Sequence, residues 1–227
     1  MGRPKPHHSA STSPRVHIDA LTPVQHRARR HFRIAANVRI QRMLKHPHVS
    51  EFHSLAEYLY AGLLEGTPSV TGYVPQPFAL RVGKRRYTPD FYVVDGDKRR
   101  VLELKPRGEF DPALWGPLDA FFSAQGMRFE VIPNEAVFAR TIEAQNWLEL
   151  VRALNLCRDL DTLAAEAALL DQCQAAGSLT VGDVVDPGDR DSTLELEVAM
   201  FRLLHRGRLT ANLSEQALDY KTTVSLS

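Results

Sequence analysis

Cysteine is nearly absent from this chain of 227 residues, which contains only Cys157 and Cys173 and no CxxC pair. Thiolate zinc sites and disulfide frameworks need more cysteines at closer spacing, so we expect two reduced core cysteines. The chain also has no apolar run near the roughly 18 residues of a membrane span. Its N-terminus lacks the apolar core of a signal peptide. We therefore expect a cytoplasmic protein with no membrane partner.

Net charge is almost absent as well, with a formal value of +1, but the charges are divided along the chain. Residues 1–110 hold 19 Lys and Arg against 9 Asp and Glu, whereas residues 111–227 hold 9 against 18. The first 50 residues contain ten of the basic residues and a single acid, Asp19. Such an arm suits a polyanion, because each phosphate that it neutralises releases condensed counterions. A solubilising or partner-binding tail is the alternative interpretation.

Hydrophobic periodicity divides the first half of the chain into helical and extended segments. Residues from about 23 to 45 combine apolar and arginine positions at helical spacing, which predicts one or two basic amphipathic helices. Ser54-Leu-Ala-Glu57 has the form of a capping box and predicts a helix that ends near Glu65. Alternating patterns then predict strands at 70–74, 78–82, 87–94 and 100–105, with an Asp-Gly turn at 95–97 between the last two.

Further helices and strands follow in the second half. A helix from Asp111 to about Ser123, a strand at 128–132 and a helix capped by Asn134 complete an α/β layout with a central sheet covered by helices. Beyond Trp147 the composition shifts to Leu, Ala and acids. This part predicts helices near 147–156 and 158–175, a helix that a capping box opens at Ser192 and that Gly207 ends, and paired strands at 208–213 and 220–226. Helices followed by such a ribbon resemble a winged-helix unit.

Three charged residues stand close together in the predicted hairpin. Tyr87-Thr-Pro-Asp90 begins one strand, and Leu102-Glu103-Leu-Lys105 ends the next. Alternation places Glu103 and Lys105 on one face of their strand, and the hairpin brings Asp90 near them. Carboxylates are hard ligands for Mg²⁺, which stabilises charge on a phosphate and lowers the pKa of a bound water. The lysine can orient that water or help to remove its proton. The pattern therefore predicts phosphodiester hydrolysis.

Each of these residues also has a plainer interpretation. Asp90 could end a turn, and Glu103 with Lys105 could be a solvated pair on one strand. It is the combination of Pro-Asp, a spacer of twelve residues and Glu-x-Lys after an apolar strand that favours a nuclease site.

The motif resembles that of the PD-(D/E)xK restriction-endonuclease-like superfamily. The flanking sequences, including Val-x-x-Tyr-x-x-Gln-Pro-Phe at 70–78 and Arg-Arg-Tyr-Thr-Pro-Asp-Phe at 85–91, are similar to those of TnsA-type endonuclease subunits of heteromeric transposases. The resemblance covers about residues 50–150. Where some members of that family have glutamine, this sequence has Glu103, the commoner choice in the superfamily.

This resemblance implies a restriction-endonuclease-like mixed sheet and an Mg²⁺-dependent enzyme of the bacterial cytoplasm, with Mn²⁺ as a substitute metal. It implies that Asp90, Glu103 and Glu57 hold metal and that Lys105 completes the catalytic set. Glu57 could instead cap its own helix. Gln76 and two arginines, Arg85 and Arg86, are candidate contacts to DNA; a turn hydrogen bond and a solvated strand edge are the alternatives for them.

The resemblance also implies partners and a domain organisation. The enzyme would cut the 5′ ends of a transposon in double-stranded DNA, together with a DDE-type transposase subunit and an AAA+ regulator ATPase. We expect a basic arm with a helix at 1–49, the endonuclease domain at 50–146 and a partner-binding helical domain at 147–227. The other hypotheses are a stand-alone restriction or repair nuclease and a DNA-binding module without catalysis, which the presence of all four catalytic residues disfavours.

Overall fold

The computed structural model describes residues 15–27 and 38–227, which form a mixed α/β protein with several sheets and, in these ranges, seven helices. The strands are β1 (Val16–Ile18), β2 (Arg39–Arg42), β3 (Val49–Phe52), β4 (Val70–Pro75), β5 (Leu80–Val82), β6 (Arg85–Tyr87), β7 (Phe91–Asp95), β8 (Lys98–Lys105), β9 (Arg128–Pro133), β10 (Ser178–Thr180), β11 (Leu209–Ala211) and β12 (Thr223–Leu226). The helices are α1 (Leu55–Glu65), α2 (Pro112–Ser123), α3 (Asn134–Phe138), α4 (Thr141–Leu156), α5 (Leu163–Ala176), α6 (Val181–Val184) and α7 (Arg190–His205). None of these helices is long and apolar enough to cross a membrane.

A four-stranded mixed sheet with the order β4-β7-β8-β9 lies at the centre. Its first three strands are antiparallel, and β9 runs parallel to β8 after the crossover through α2. The predicted hairpin is confirmed: Asp95 pairs with Lys98 and leaves a loop of two residues. The first of them, Gly96, has a φ of +60°, a conformation that such tight hairpin loops require and glycine adopts without strain.

Helices cover both faces of this sheet, and each face has its own apolar core. On one face, which we call the α1-side core, Phe91 and Leu102 pack with side chains of α1 and α4. On the other, the α2-side core, Val101 and Phe129 pack with Phe122 of α2. Strand β8 is therefore buried on both sides, so the acid that it carries in its second half is not on an open surface.

Three smaller sheets surround the central one: β1-β5-β6, β2-β3 and β10-β12-β11. The single strand predicted at 87–94 is wrong, because β6 pairs with β5 and β7 pairs with β4 and β8. The chain changes sheets at Pro89, which has no amide hydrogen for a ladder bond. The helix predicted from about residue 23 to 45 is wrong in both of its described parts. Residues 23–27 are not helical, and the amides of Val24 and His26 donate to the carbonyls of Pro77 and Gln76, whereas Arg39–Arg42 pairs with β3. The middle of the predicted helix, residues 28–37, lies outside the described residues.

Helix ends in the second half differ from the prediction at four points. Helix α5 begins at Leu163, whereas its predicted start was near residue 158. Pro133, not Asn134, is the N-cap residue of α3, and no side chain caps that helix. Helix α4 begins at Thr141, before the Leu- and Ala-rich composition sets in. Helix α7 begins at Arg190, because the side chain of Asp189 accepts a hydrogen bond from the amide of Ser192. The predicted helix at 55–65 and its Ser54 cap are confirmed.

The C-terminal part packs around a third core, which we call the C-terminal core. Side chains of α5 and α7 meet there with Val224 of β12, and the predicted pairing of β11 with β12 is confirmed, with β10 as an additional strand. Cys157 and Cys173 are free cysteines of this part. Helix α4 contributes to two cores: Leu148 and Val151 belong to the α1-side core, whereas Leu150 faces the C-terminal core.

Glu65 connects α1 with α7 at the junction of these cores. Its side chain is completely buried. One carboxylate oxygen accepts hydrogen bonds from the amides of Leu44 and Lys45 at 3.1 and 3.0 Å and from the Tyr73 hydroxyl at 3.1 Å. The other lies 2.8 Å from Nε2 of His205 at the end of α7. This carboxylate is therefore a structural anchor, since a buried charge needs such partners.

Candidate active site

The hairpin of β7 and β8 places two acids beside each other at one end of the sheet. Asp90 precedes β7, and its amide donates to the Leu102 carbonyl at 2.9 Å. The register of β7 and β8 ends at the pair of Phe91 and Leu102, and the Asp90 carboxylate accepts a 2.7 Å hydrogen bond from the Leu104 amide, the residue after Glu103. The charge of Glu103 also acts directly on Asp90, so the two carboxylates lie close together. The structure therefore brings the two strand acids of the predicted motif together.

Glu103 uses both carboxylate oxygens within the site. Oε1 lies 3.0 Å from Nζ of Lys105, two residues further on the same face, and Oε2 accepts a hydrogen bond of 2.7 Å from the Tyr87 hydroxyl. Glu103 is only 3% exposed, whereas the Lys105 side chain is 42% exposed and reaches the rim of the site. The lysine thus faces solvent and the acids lie behind it.

Burial and crowding of negative charge disfavour ionisation of the acids. Burial, then the charges of Glu103 and Glu57, raise the pKa of Asp90 well above its usual range, although its carboxylate accepts a 2.7 Å hydrogen bond from the Leu104 amide. Burial also raises the pKa of Glu103, against the opposing effects of Lys105 and Tyr87. Burial acts to lower the pKa of Lys105, but the neighbouring acids reverse this, so the net shift is upward and the ammonium is retained. The cluster has more acids than cations and would gain from a divalent ion.

Glu57 lies at the start of α1, within electrostatic range of both strand acids. Its side chain is turned back in the manner of a helix cap: Oε1 accepts from the Ser54 hydroxyl at 2.9 Å, and Oε2 accepts from the His53 amide at 2.9 Å. Oε2 also accepts a 2.6 Å hydrogen bond from the Gln76 carboxamide. The capping interpretation fits these contacts, with the His53 amide in place of the expected Ser54 amide.

Gln76 joins Glu57 to the N-terminal segment. It is buried and has a φ of +43°, in the left-handed region that residues other than glycine rarely adopt. Its side-chain oxygen accepts a 2.9 Å hydrogen bond from Gln25, which also donates to the Glu51 carbonyl at 2.7 Å. Strained backbone of this kind is concentrated at functional sites. Nothing in the sequence around Gln25 indicated this contact, because it depends on the fold.

The two arginines of the motif point in different directions. Arg85 forms a 2.6 Å ion pair with Asp111, the N-cap residue of α2. Arg86 instead lines a cleft of about 770 Å³ that also contains Asp90, Gln76 and Tyr87. Tyr87 is the site residue that sequence analysis missed. It was part of the recognised motif, but only the fold shows that its hydroxyl contacts Glu103.

The acids of the site fit a metal ion as a pair and not as a set of three. Among residues 15–27 and 38–227, no three His, Cys, Asp or Glu side chains are arranged to hold one ion, so Glu57, Asp90 and Glu103 do not form such a trio. Asp90 and Glu103 alone remain adjacent acids. Mg²⁺ is commonly bound by one or two carboxylates and completes its shell with waters and substrate phosphates. The pair therefore fits Mg²⁺, and a role for Glu57 as a third ligand stays a prediction.

Comparison with known proteins assigns the chain to no family. No protein-family model matches it, and no curated protein matches it significantly.

Proposed function

We propose that this protein is a metal-dependent DNA endonuclease with a restriction-endonuclease-like catalytic domain. The observation that carries the proposal is the adjacency of Asp90 and Glu103 at one end of a buried sheet, with the Lys105 ammonium 3.0 Å from Glu103. Glu103 is only 3% exposed, which contradicts the alternative interpretation of Glu103 and Lys105 as a solvated pair on the surface. A central mixed sheet covered by helices on both faces supports the same proposal.

In this proposal Asp90 and Glu103 hold Mg²⁺. The bound ion would supply Lewis acidity toward the phosphate and a more acidic water. Lys105 remains protonated, because the acids around it raise its pKa, so it acts as a positive charge and hydrogen-bond donor rather than as a base. Tyr87 donates to Glu103 and holds that carboxylate in one orientation. Asp90 is held in the same way by the Leu104 amide.

The biological setting that we propose is transposition. The motif and its flanking sequences resemble those of TnsA-type subunits, so the enzyme would cut the 5′ ends of a transposon while a DDE-type partner acts on the other strand. The excess of acids in residues 111–227 disfavours the C-terminal part as a DNA clamp. That surface is better suited to a protein, and an AAA+ regulator is the partner that the resemblance implies.

The proposal is tested by strand cleavage with transposon-end DNA, Mg²⁺ and the partner transposase. Lys105→Ala and Asp90→Ala should each lower the cleavage rate by at least about 100-fold, because the first removes the positive charge beside the scissile phosphate and the second removes a ligand of the metal ion. Lys98→Ala is the matched control, since Lys98 lies at the other end of the same strand. Undiminished cutting by the two site variants would overturn the proposal. Cutting by the wild type without any partner would favour a stand-alone nuclease instead.

A further inference from the structure

The sheet β1-β5-β6 has one apolar face and one basic face. Val16, Leu80 and Val82 belong to the α2-side core or pack against it. The register pairs His17 with Arg81 and Arg81 with Arg86, so these three exposed residues form a continuous row across the opposite face. We call it the cleft row. Arg85 is out of step with the row by one residue and contacts Asp111 on the other side.

The two arginines of the cleft row do not stabilise the fold of the isolated protein. Arg81 and Arg86 are direct cross-strand neighbours, and like charges in such positions are destabilising. Within the part of the chain that the structure describes, neither side chain has a hydrogen bond or an ion pair, and the same holds for Lys84 in the connecting loop. Their charge is available for an anion that is not part of the protein.

The cleft row forms one side of the cleft that leads to the candidate active site. Arg81, Lys84 and Arg86 line it together with Asp90, and the N-terminal segment contributes His17, His26 and Arg27. At about 770 Å³, the cleft lies within the range of pockets that enclose small ligands. It can take a short run of a single strand, whereas a double helix would have to lie outside it.

We propose that the cleft row binds the phosphodiester backbone of one DNA strand on one side of the scissile bond. This inference rests on the proposed nuclease function and adds the path of the substrate strand, which leads past Asp90 along β5 and β6. It also assigns the two motif arginines to different tasks: Arg86 contacts phosphate, and Arg85 holds α2 against the small sheet. His17 provides a further hydrogen-bonding side chain at the far end of the row.

The test measures the binding of labelled DNA by the full chain without divalent metal, as a function of NaCl concentration. The probes are a single-stranded oligonucleotide and a duplex with a single-stranded flank. Each phosphate contact contributes about 0.7 to 0.9 to the slope of log K against log salt. Arg81→Gln and Arg86→Gln should each lower the slope by about 1 and weaken binding on the order of tenfold. Arg85→Gln and Lys98→Gln should leave the slope unchanged.

A second readout separates binding from structural damage. Because Arg81 and Arg86 repel each other, Arg86→Gln should keep or raise the Tm, whereas Arg85→Gln loses the ion pair with Asp111 and should not. An unchanged slope for Arg86→Gln, an equal loss for Lys98→Gln, or equally strong competition by poly-L-glutamate would overturn the cleft row as a phosphate site. Normal metal-dependent cleavage by Arg81→Gln and Arg86→Gln would refute the row but not the nuclease. Row-dependent binding without any wild-type cleavage would refute the nuclease alone.

Discussion

Individual residues of the candidate site are arranged at the expense of the free protein's stability. Burial raises the pKa of both Asp90 and Glu103, and the charge of Glu103 raises that of Asp90 further. A hydrogen bond from Tyr87 and the ammonium of Lys105 offset only part of this repulsion. Such perturbed acids are typical of functional sites, where the environment is organised for a bound ion or substrate rather than for the empty protein.

Substitution of Asp90 by Asn should therefore stabilise the protein while it abolishes cleavage. The pKa of Asp90 is higher in the folded than in the unfolded chain, so the wild type loses stability as pH rises from the ordinary aspartate value through the folded one. Asn keeps the acceptor for the Leu104 amide and escapes this loss. At pH 8 we expect the Tm of Asp90→Asn to exceed that of the wild type by a few degrees, since each kcal/mol shifts the Tm of a chain of this size by about 2–4 °C. Near pH 3 we expect no difference between the two. A scan of Tm against pH, with Asp97→Asn as the exposed control, measures it; a lower Tm at pH 8 would contradict it.

Tyr87→Phe should shift the pH dependence of cleavage without unfolding the chain. The Tyr87 hydrogen bond lowers the pKa of Glu103, so its removal should move the acidic limb of the rate profile to higher pH. At pH 7 we expect a loss on the order of tenfold, as for a hydrogen bond to a charged group. Tyr92→Phe is the matched control, because its hydroxyl has no hydrogen bond within the described residues. A uniform rate loss with an unmoved acidic limb would show that Tyr87 does not act through Glu103.

At the scale of elements, periodicity predicted the parts of the fold that local sequence determines. The hairpin of β7 and β8 has a glycine turn and alternating side chains, so the adjacency of Asp90 and Glu103 could be foreseen. Strand β2 could not be foreseen, because residues from about 23 to 45 have helical spacing and the pairing of β2 with β3 overrides it. The burial of Glu103 was also hidden, since it depends on α2 crossing the second face of the sheet.

Helices α1 and α4 approach each other closely at Gly62, where helix propensity alone would favour alanine. A Cβ atom on Gly62 would lie 2.5 Å from the Ala144 carbonyl oxygen and 2.9 Å from Cγ of Leu148. Gly62→Ala should therefore lower the free energy of unfolding by about 1–3 kcal/mol, although alanine favours a helix. Urea denaturation measures it. In the double variant with Leu148→Ala the two losses should be less than additive, because the shorter side chain makes room. A stabilised Gly62→Ala would refute this account of the packing.

At the scale of the whole molecule, α4 joins what sequence analysis divided. The predicted domain boundary at 146/147 falls inside this helix, between Ala144 and Leu148 of the α1-side core. Residues on its other face, Leu150 and Leu154, belong to the C-terminal core. The division into domains stays a prediction, but a cut at that point would remove core side chains from both parts.

Truncation within α4 should show how far the first part depends on it. A chain that ends at residue 146 loses Leu148 and Val151 from the α1-side core. Each such loss costs about 2–5 kcal/mol, against a total stability of about 5–15 kcal/mol. We expect no cooperative urea transition for this chain and a measurable one for a chain that ends at residue 157. Far-UV circular dichroism follows both urea transitions. Equal transitions for the two chains would contradict the role of α4 in the α1-side core.

The contacts of Glu65 couple α7 rigidly to α1. His205 cannot withdraw from it without leaving a carboxylate in an apolar interior with one partner fewer, so α7 cannot swing freely against α1. Glu57 lies eight residues earlier in the same helix, α1, which places it about 12 Å away at the rise of an α-helix. A partner that displaces the C-terminal part would therefore act on the same helix that carries Glu57 to the candidate active site.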